Sequence, residues 1–277
     1  MKKLLKLVKQ IVKLVYTIIR YPVDAISSIL MTPEFCRGMA FSKQWPTVES
    51  STKSVKPTEN PLWNYFSKNN EGPGIWKWTH YFDVYQRHFA KFKNSPVNIA
   101  EIGIYSGGSL PMWLNYFGED CHVFGVDIEE ACKAYESDRI KIIIGDQEDR
   151  NFWKKFREST PDMHILIDDG GHTPEQQMVT LEETLPYMPL GSVYMCEDIH
   201  GIPNRFIAFA TAFVHKLNAL KFEGSESTTA SNIQQAFHSI HFYPYLLVIE
   251  KHEYPPEKLI SAKRGTEWQP FFNSVTE

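Results

Sequence analysis

Between residues 76 and 250 apolar positions recur in two alternating rhythms. Trp76 to Phe92 (WKWTHYFDVYQRHFAKF) places aromatic residues three and four apart, which predicts a helix, and Val97-Asn-Ile-Ala-Glu-Ile-Gly103 then reads as a first strand. The pattern continues with a helix over 109–117, strands over 123–127 and 140–144, a helix over 150–159, a strand over 165–167, a helix over 174–185, a strand over 192–196 and a helix over 205–220. Strands and helices that alternate through short connections predict an α/β fold, a doubly wound, mostly parallel sheet covered on both faces. The last apolar runs, 236–243 and 246–250, flank Pro244 and predict an antiparallel C-terminal hairpin at one edge.

The first 23 residues, MKKLLKLVKQIVKLVYTIIRYPV, follow a different rule. At 100° per residue Lys2, Lys6, Lys9, Lys13 and Arg20 share a narrow arc, while Leu4, Leu5, Leu7, Val8, Ile11, Val12, Val15, Ile18 and Ile19 fill the opposite side. Pro22 marks the end of this N-terminal amphipathic helix. Its longest uncharged stretch, Leu14 to Ile19, is far short of the ~20 apolar residues a membrane span needs. A basic amphipathic helix suits an anionic membrane surface, with lysines at headgroup level. The alternatives are packing on the protein's own domain, packing on a second copy in a homo-oligomer, or a transit peptide, against which the preference for lysine and the scarcity of serine count. From 42 to 61 the chain (SKQWPTVESSTKSVKPTENP) is aperiodic. The organisation expected is a helix over 1–23, a linker and N-terminal extension over 24–73, and the main domain over 74–277.

With 277 residues the chain can bury one full core plus an appendage. A formal charge of -4 argues against a nucleic-acid binder, which would be strongly basic. Cys36, Cys121, Cys132 and Cys196 form no CxxC pair and are expected to be reduced in a cytoplasmic protein, peripheral to the membrane if the first helix docks there.

Gly103-Ile-Tyr105-Ser106-Gly107-Gly108-Ser109 lies where the first strand hands over to a helix, the turn at which a nucleotide-like ligand docks in a doubly wound sheet. A tight turn needing glycine for its backbone alone would look the same. Asp127 ends the second strand at the spacing of a ribose-binding acid, and Asp146-Gln147 follow the third strand. Tyr105 stands where a dinucleotide site needs its second glycine, which disfavours pyrophosphate. S-adenosylmethionine, with ribose and adenine but no phosphates, fits better.

Asp168 and Asp169 end one strand, and Glu197 and Asp198 end the next, so four carboxylates share one sheet edge. Like-charge repulsion at such a site is relieved by a divalent cation, and an all-oxygen set favours Mg2+, with Mn2+ or Ca2+ as substitutes, over Zn2+. Side chains alternate along a strand, so Asp168 and Asp169 are not expected to face the metal together.

Taken together, Glu101-x-Gly-x-x-x-Gly-Gly-Ser109, Gly125-Val-Asp-Ile128, Gly145-Asp-Gln147, Ile167-Asp-Asp-Gly-Gly-His172 and Cys196-Glu-Asp-Ile-His200 resemble class I S-adenosylmethionine-dependent methyltransferases. The nearest branch is the metal-dependent sugar O-methyltransferases of macrolide tailoring, with the cephalosporin-hydroxylase-like and rhamnosyl O-methyltransferase group. The likeness spans about 74–250. It implies a Rossmann-like fold and cofactor contacts among Glu101, Gly103, Tyr105, Ser106, Gly107, Ser109, Asp127, Asp146, Gln147 and Asp168. It implies Asp169, Glu197 and Asp198 as metal ligands, with Asp168 facing the fold or the cofactor, and His172 as general base toward a small-molecule or glycan hydroxyl. A metal that chelates neighbouring hydroxyls lowers their pKa, and a histidine can then take the proton.

His172 could instead cap the helix beginning near Thr173-Pro174, and His200 could contact substrate. Trp76, Trp78, Tyr81, Phe82 and Tyr85 fit core or lid better than a sugar platform. Lys154, Lys155 and Arg157 read as a solvated face, and 263–268 could fold back over the site. Two rival functions remain: an Fe(II) hydroxylase using His172 and His200, and a membrane-bound binding protein without turnover.

Overall fold

The computed structural model describes residues 2–46, 59–219, 227–262 and 264–265. The chain divides into two compact units, Met1–Lys56 and Pro57–Glu277.

The first unit is helical where it is described: α1 (Lys2–Arg20), α2 (Pro22–Leu30) and α3 (Thr32–Ser42). Proline in the first turn of α2 and of α3 starts each helix and breaks the one before it. The expected linker and N-terminal extension over 24–73 therefore begins with helices that run as far as Ser42. Along α1, Ile11, Val12, Val15 and Ile19 are exposed. No described helix is long and apolar enough to cross a membrane.

The second unit opens with α4 (Pro61–Lys68), so the main domain starts before residue 74. Asn60 caps α4, its Oδ1 accepting from the Leu62 and Trp63 amides, and its Nδ2 donates to the Phe82 carbonyl. Leu62 is fully buried. Helix α5 (Tyr81–Phe89) is shorter than the aromatic spacing predicts, because residues 74–78 have no regular structure.

There follow β1 (Val97–Ile102), α6 (Ser109–Phe117), β2 (Cys121–Asp127), β3 (Ile140–Ile144), α7 (Arg150–Ser159), β4 (Ile165–Asp168), α8 (Pro174–Thr184), β5 (Val193–Cys196), α9 (Arg205–Leu217), β6 (Ser227–Thr229), α10 (Asn232–Ala236), β7 (Phe237–Tyr243), β8 (Leu246–Lys251) and β9 (Lys258–Ile260). The sheet order is β3-β2-β1-β4-β5-β8-β7, with β8 antiparallel to both neighbours and the other pairings parallel. The expected hairpin is β7–β8. A second antiparallel pair, β6–β9, has no counterpart in the sequence reading.

Apolar layers cover both faces of the sheet. Ile99 of β1 packs with Trp113, Ile142 and Ile165, while its neighbour Ala100 packs with Trp153, Leu166 and Tyr194 on the other side. From β1 the chain winds one way through β2 and β3, and β4 lies on the other side. This reversal opens a crevice beyond the carboxyl ends of β1 and β4.

Candidate active site

A cavity of about 1260 Å3 occupies this crevice. Its walls include Gly103, Tyr105, Asp127 and Asp146 on one side and Asp169, His172, Glu197 and Asp198 on the other. The parallel strands end together, so residues up to a hundred positions apart meet along one edge.

The turn after β1 is packed against protein on its inner side. A Cβ on Gly103, at φ +80°, would lie 2.1 Å from the Asp169 carbonyl oxygen, and one on Gly108 would lie 2.4 Å from the Pro73 carbonyl oxygen. These glycines therefore let neighbouring turns touch. Tyr105 adopts left-handed backbone at φ 46°, and its ring is 75% exposed at the cavity. Its amide donates to Asp127 Oδ2 at 3.2 Å, and Asp127 Oδ1 accepts from the Glu129 amide at 3.0 Å.

Five of the ten residues expected to touch the cofactor line this cavity: Gly103, Tyr105, Asp127, Asp146 and Gln147. Glu101, Ser106, Gly107, Ser109 and Asp168 do not. Glu101 is buried, and its Oε2 accepts from Ser109 Oγ at 2.6 Å and Trp113 Nε1 at 3.0 Å. Although Gln147 reaches the wall, its amide is already engaged. Its Nε2 donates to Asp168 Oδ1 (2.9 Å) and Thr180 Oγ1 (3.0 Å), and its Oε1 accepts from the Gly171 amide (2.7 Å). Asp168 and Gln147 thus brace the Gly-Gly-His turn, Asp168 taking the fold-facing position of its two alternatives, and the Glu101, Ser109 and Asp168 side chains are bonded to protein groups away from the cavity lining. Burial pushes the Asp168 carboxyl up to about 6.

Donor atoms of Asp169, His172 and Asp198 all lie within 4.8 Å of one another. His172 Nε2 is 3.8 Å from Asp198 Oδ2, and His172 Nδ1 is buried without a hydrogen-bond partner. The capping role considered for His172 belongs to Thr173, which forms a reciprocal capping box with Gln176 at the start of α8. An oxygen-rich set with one unpartnered imidazole suits a hard divalent ion beside a proton acceptor.

Glu197 is as deeply buried as Glu101 and Asp168. Its Oε1 accepts from Tyr85 Oη at 2.6 Å and its Oε2 from Lys77 Nζ at 3.1 Å. Burial, opposed by Lys77, pushes its carboxyl up to about 8. The Asp169 carboxyl is raised for the same reason, with Lys77 Nζ 2.7 Å from its Oδ2. Asp198 Oδ1 accepts from Trp78 Nε1 at 2.9 Å and Tyr81 Oη at 3.0 Å.

Lys77 and the Tyr81 and Tyr85 hydroxyls are the site residues that sequence reasoning missed. The available signal was a lysine set between two tryptophans, ahead of tyrosines at helical spacing. The aromatic segment divides: Tyr81, Phe82 and Tyr85 are core, whereas Trp76 and Trp78 are exposed at the cavity. His200 does not line the cavity and joins no converging donor set among the described residues, so the two-histidine site of a hydroxylase is not assembled.

Lys154 and Lys155 are exposed as expected, but Arg157 pairs with Glu183 and lies over the Tyr187 ring. Lys263 and 266–268 lie outside the described residues. All four cysteines are free thiols.

No family model matches the chain. Among curated proteins, a tetracenomycin rhamnosyl 3'-O-methyltransferase of Streptomyces olivaceus is 33% identical over 133 residues, 46% of this chain and 33% of that protein. Demethylmacrocin O-methyltransferase of Streptomyces fradiae is 31% identical over 168 residues, 58% of this chain and 41% of that protein. The chain spans between 30% and 52% of the length of the curated relatives it matches. Among solved structures, MycE methyltransferase from mycinamycin biosynthesis, in complex with Mg and S-adenosylhomocysteine, aligns with a TM-score of 0.57 at 22% identity, covering 69% of this chain and 53% of that one. That likeness establishes the fold. The chain thus has the fold of that methyltransferase and is similar, over 46% and 58% of its length, to two antibiotic-sugar O-methyltransferases.

Proposed function

We propose that this chain transfers a methyl group from S-adenosylmethionine to a hydroxyl of a sugar or glycoconjugate, with Mg2+ or Mn2+ held by Asp169, Glu197 and Asp198. The observation that carries this reading is the convergence of Asp169, His172 and Asp198 on one cavity that also reaches Asp127 and Glu197, although Glu197 lies outside that converging set, its oxygens bonded to Tyr85 and Lys77. The names of the curated relatives support a sugar hydroxyl as acceptor.

The cofactor would supply an electrophilic methyl on a sulfonium sulfur, and the ion a Lewis acid for the acceptor oxygen. Asp127 takes ribose hydroxyls with its carboxylate. His172 accepts the acceptor proton at Nε2, the nitrogen facing Asp198 Oδ2, and the neighbouring carboxylate stabilises the imidazolium formed. With the proton held on His172, the acceptor oxygen would be free to take the methyl that the sulfonium supplies, its sulfur leaving as a neutral thioether. Holding the two reactants in line supplies several kcal/mol of the barrier.

Calorimetry with S-adenosylmethionine and with NADH, followed by assay of S-adenosylhomocysteine release on a glycan extract with Mg2+ or EDTA, tests the reading. It expects cofactor binding and EDTA-sensitive turnover. NADH binding without S-adenosylmethionine binding overturns it, and cofactor binding without turnover on any extract leaves a binding protein.

The first unit we assign to an anionic membrane surface. Support comes from the exposed apolar arc of Ile11, Val12, Val15 and Ile19 opposite Lys9, Lys13 and Arg20. Co-sedimentation with phosphatidylcholine vesicles should require added phosphatidylglycerol and be lost in Lys9→Glu/Lys13→Glu. Equal sedimentation of that variant refutes the assignment.

A further inference from the structure

Lys77 is bonded to acids from three strand ends. Its Nζ donates to Glu101 Oε1 at 3.0 Å, Asp169 Oδ2 at 2.7 Å and Glu197 Oε2 at 3.1 Å. An ammonium has three N–H donors, so this arrangement uses them all. The Lys77 side chain is 3% exposed.

The remaining contacts are equally fixed. Ser109 and Trp113 hold the other Glu101 oxygen, and Tyr85 holds the other Glu197 oxygen. Without a cation at their centre, these buried carboxylates would repel one another and swing apart.

We propose that Lys77 is a positioning residue, a built-in cation that holds Asp169 and Glu197 in place ahead of the divalent ion and ties them to Glu101 beneath the turn after β1. The inference rests on the metal site proposed above. It makes the acid cluster pre-organised: the ion enters a formed site, and the cofactor strand and the acceptor side share one rigid anchor. Removing Lys77 should make the order of the cluster depend on bound metal.

The test is thermal unfolding of wild type and Lys77→Met in EDTA and in saturating Mn2+, with bound Mn2+ followed by electron paramagnetic resonance. In EDTA the variant should melt about 10 °C below wild type, the size expected for a broken buried pair. In Mn2+ that gap should shrink to less than about half, because the ion takes over the missing charge. An equal gap in both media, or no gap, overturns the proposal while leaving wild-type Mn2+ binding and the metal site intact. If wild type takes up no Mn2+, metal site and proposal fall together.

Should Lys77→Met not be recovered, Lys77→Met/Glu101→Gln removes one charge of each sign. It should fold and gain more from Mn2+ than wild type does. An equal gain, or failure of both variants to fold even with Mn2+ present, also overturns the proposal.

Discussion

His172 Nε2 stands 3.8 Å from Asp198 Oδ2, and both residues hold left-handed backbone, at φ 57° and 54°. Such conformations cost on the order of 1–3 kcal/mol each and persist where the surroundings over-determine them. Here the Gln147 brace holds Gly171 on one side, and Trp78 and Tyr81 grip the Asp198 carboxylate on the other. Tyr105 repeats the feature at the opposite wall of the cavity.

His172→Gln should lower methyl transfer by about 10²–10⁴-fold, the range for loss of a general base. Calorimetric affinity for S-adenosylmethionine should stay within about twofold of wild type, because the change removes proton transfer and not a cofactor contact. Full activity in the variant would assign the base elsewhere.

Asp169→Ala and Glu197→Ala should each abolish turnover and Mn2+ binding yet spare cofactor binding. EDTA should reproduce the loss in wild type and added Mg2+ restore it. Activity that survives EDTA would remove the ion from the reaction.

Asp127→Ala should weaken S-adenosylmethionine binding by roughly tenfold or more, the value of a hydrogen bond to a charged acceptor. Its carboxylate faces the cavity with the Tyr105 and Glu129 amides already behind it. Mn2+ binding should not change, since Asp127 is outside the acid cluster. A titration giving equal cofactor affinity would place the ribose elsewhere.

Glu250 of β8 anchors the edge hairpin to α5. His88 Nδ1 lies 3.0 Å from its Oε1, and this bond, with Lys91 also near, lowers its carboxyl to about 2 despite partial burial. A depressed acid stabilises the fold above its unfolded pKa of about 4.3 and loses that contribution as pH falls toward 2. In urea unfolding, wild type should exceed Glu250→Gln in stability at pH 6, and the difference should close between about pH 4 and pH 2. A difference that is constant across this range would mean the bond contributes no charge-dependent stability.

The strands, the hairpin and the edge where the acids gather were legible because apolar periodicity is a local property and parallel strands share an end, whereas the strand order was read only from the structure. Asp127, Asp146, Asp169, Glu197 and Asp198 were found for that reason and His172 through the family resemblance, and all line the cavity. Less legible was the start of the main domain. The Asn60-Pro61 cap of α4 is a short signal inside a stretch whose composition resembles a linker.

By itself the sequence determined the winding of the sheet and which residue types meet at its crevice. Only tertiary structure decided what each acid does there. Glu101 and Asp168 carry the same charge as Asp127 and Asp169, yet they face inward, bonded to Lys77, Ser109 and Trp113 in one case and to Gln147 in the other. Lys77 precedes the strands and has no periodic signature, so its three partners, 24, 92 and 120 positions away, become its neighbours only when the chain closes. The physical reason is that a charge's role depends on which dipoles and counter-charges surround it, and long-range packing supplies those.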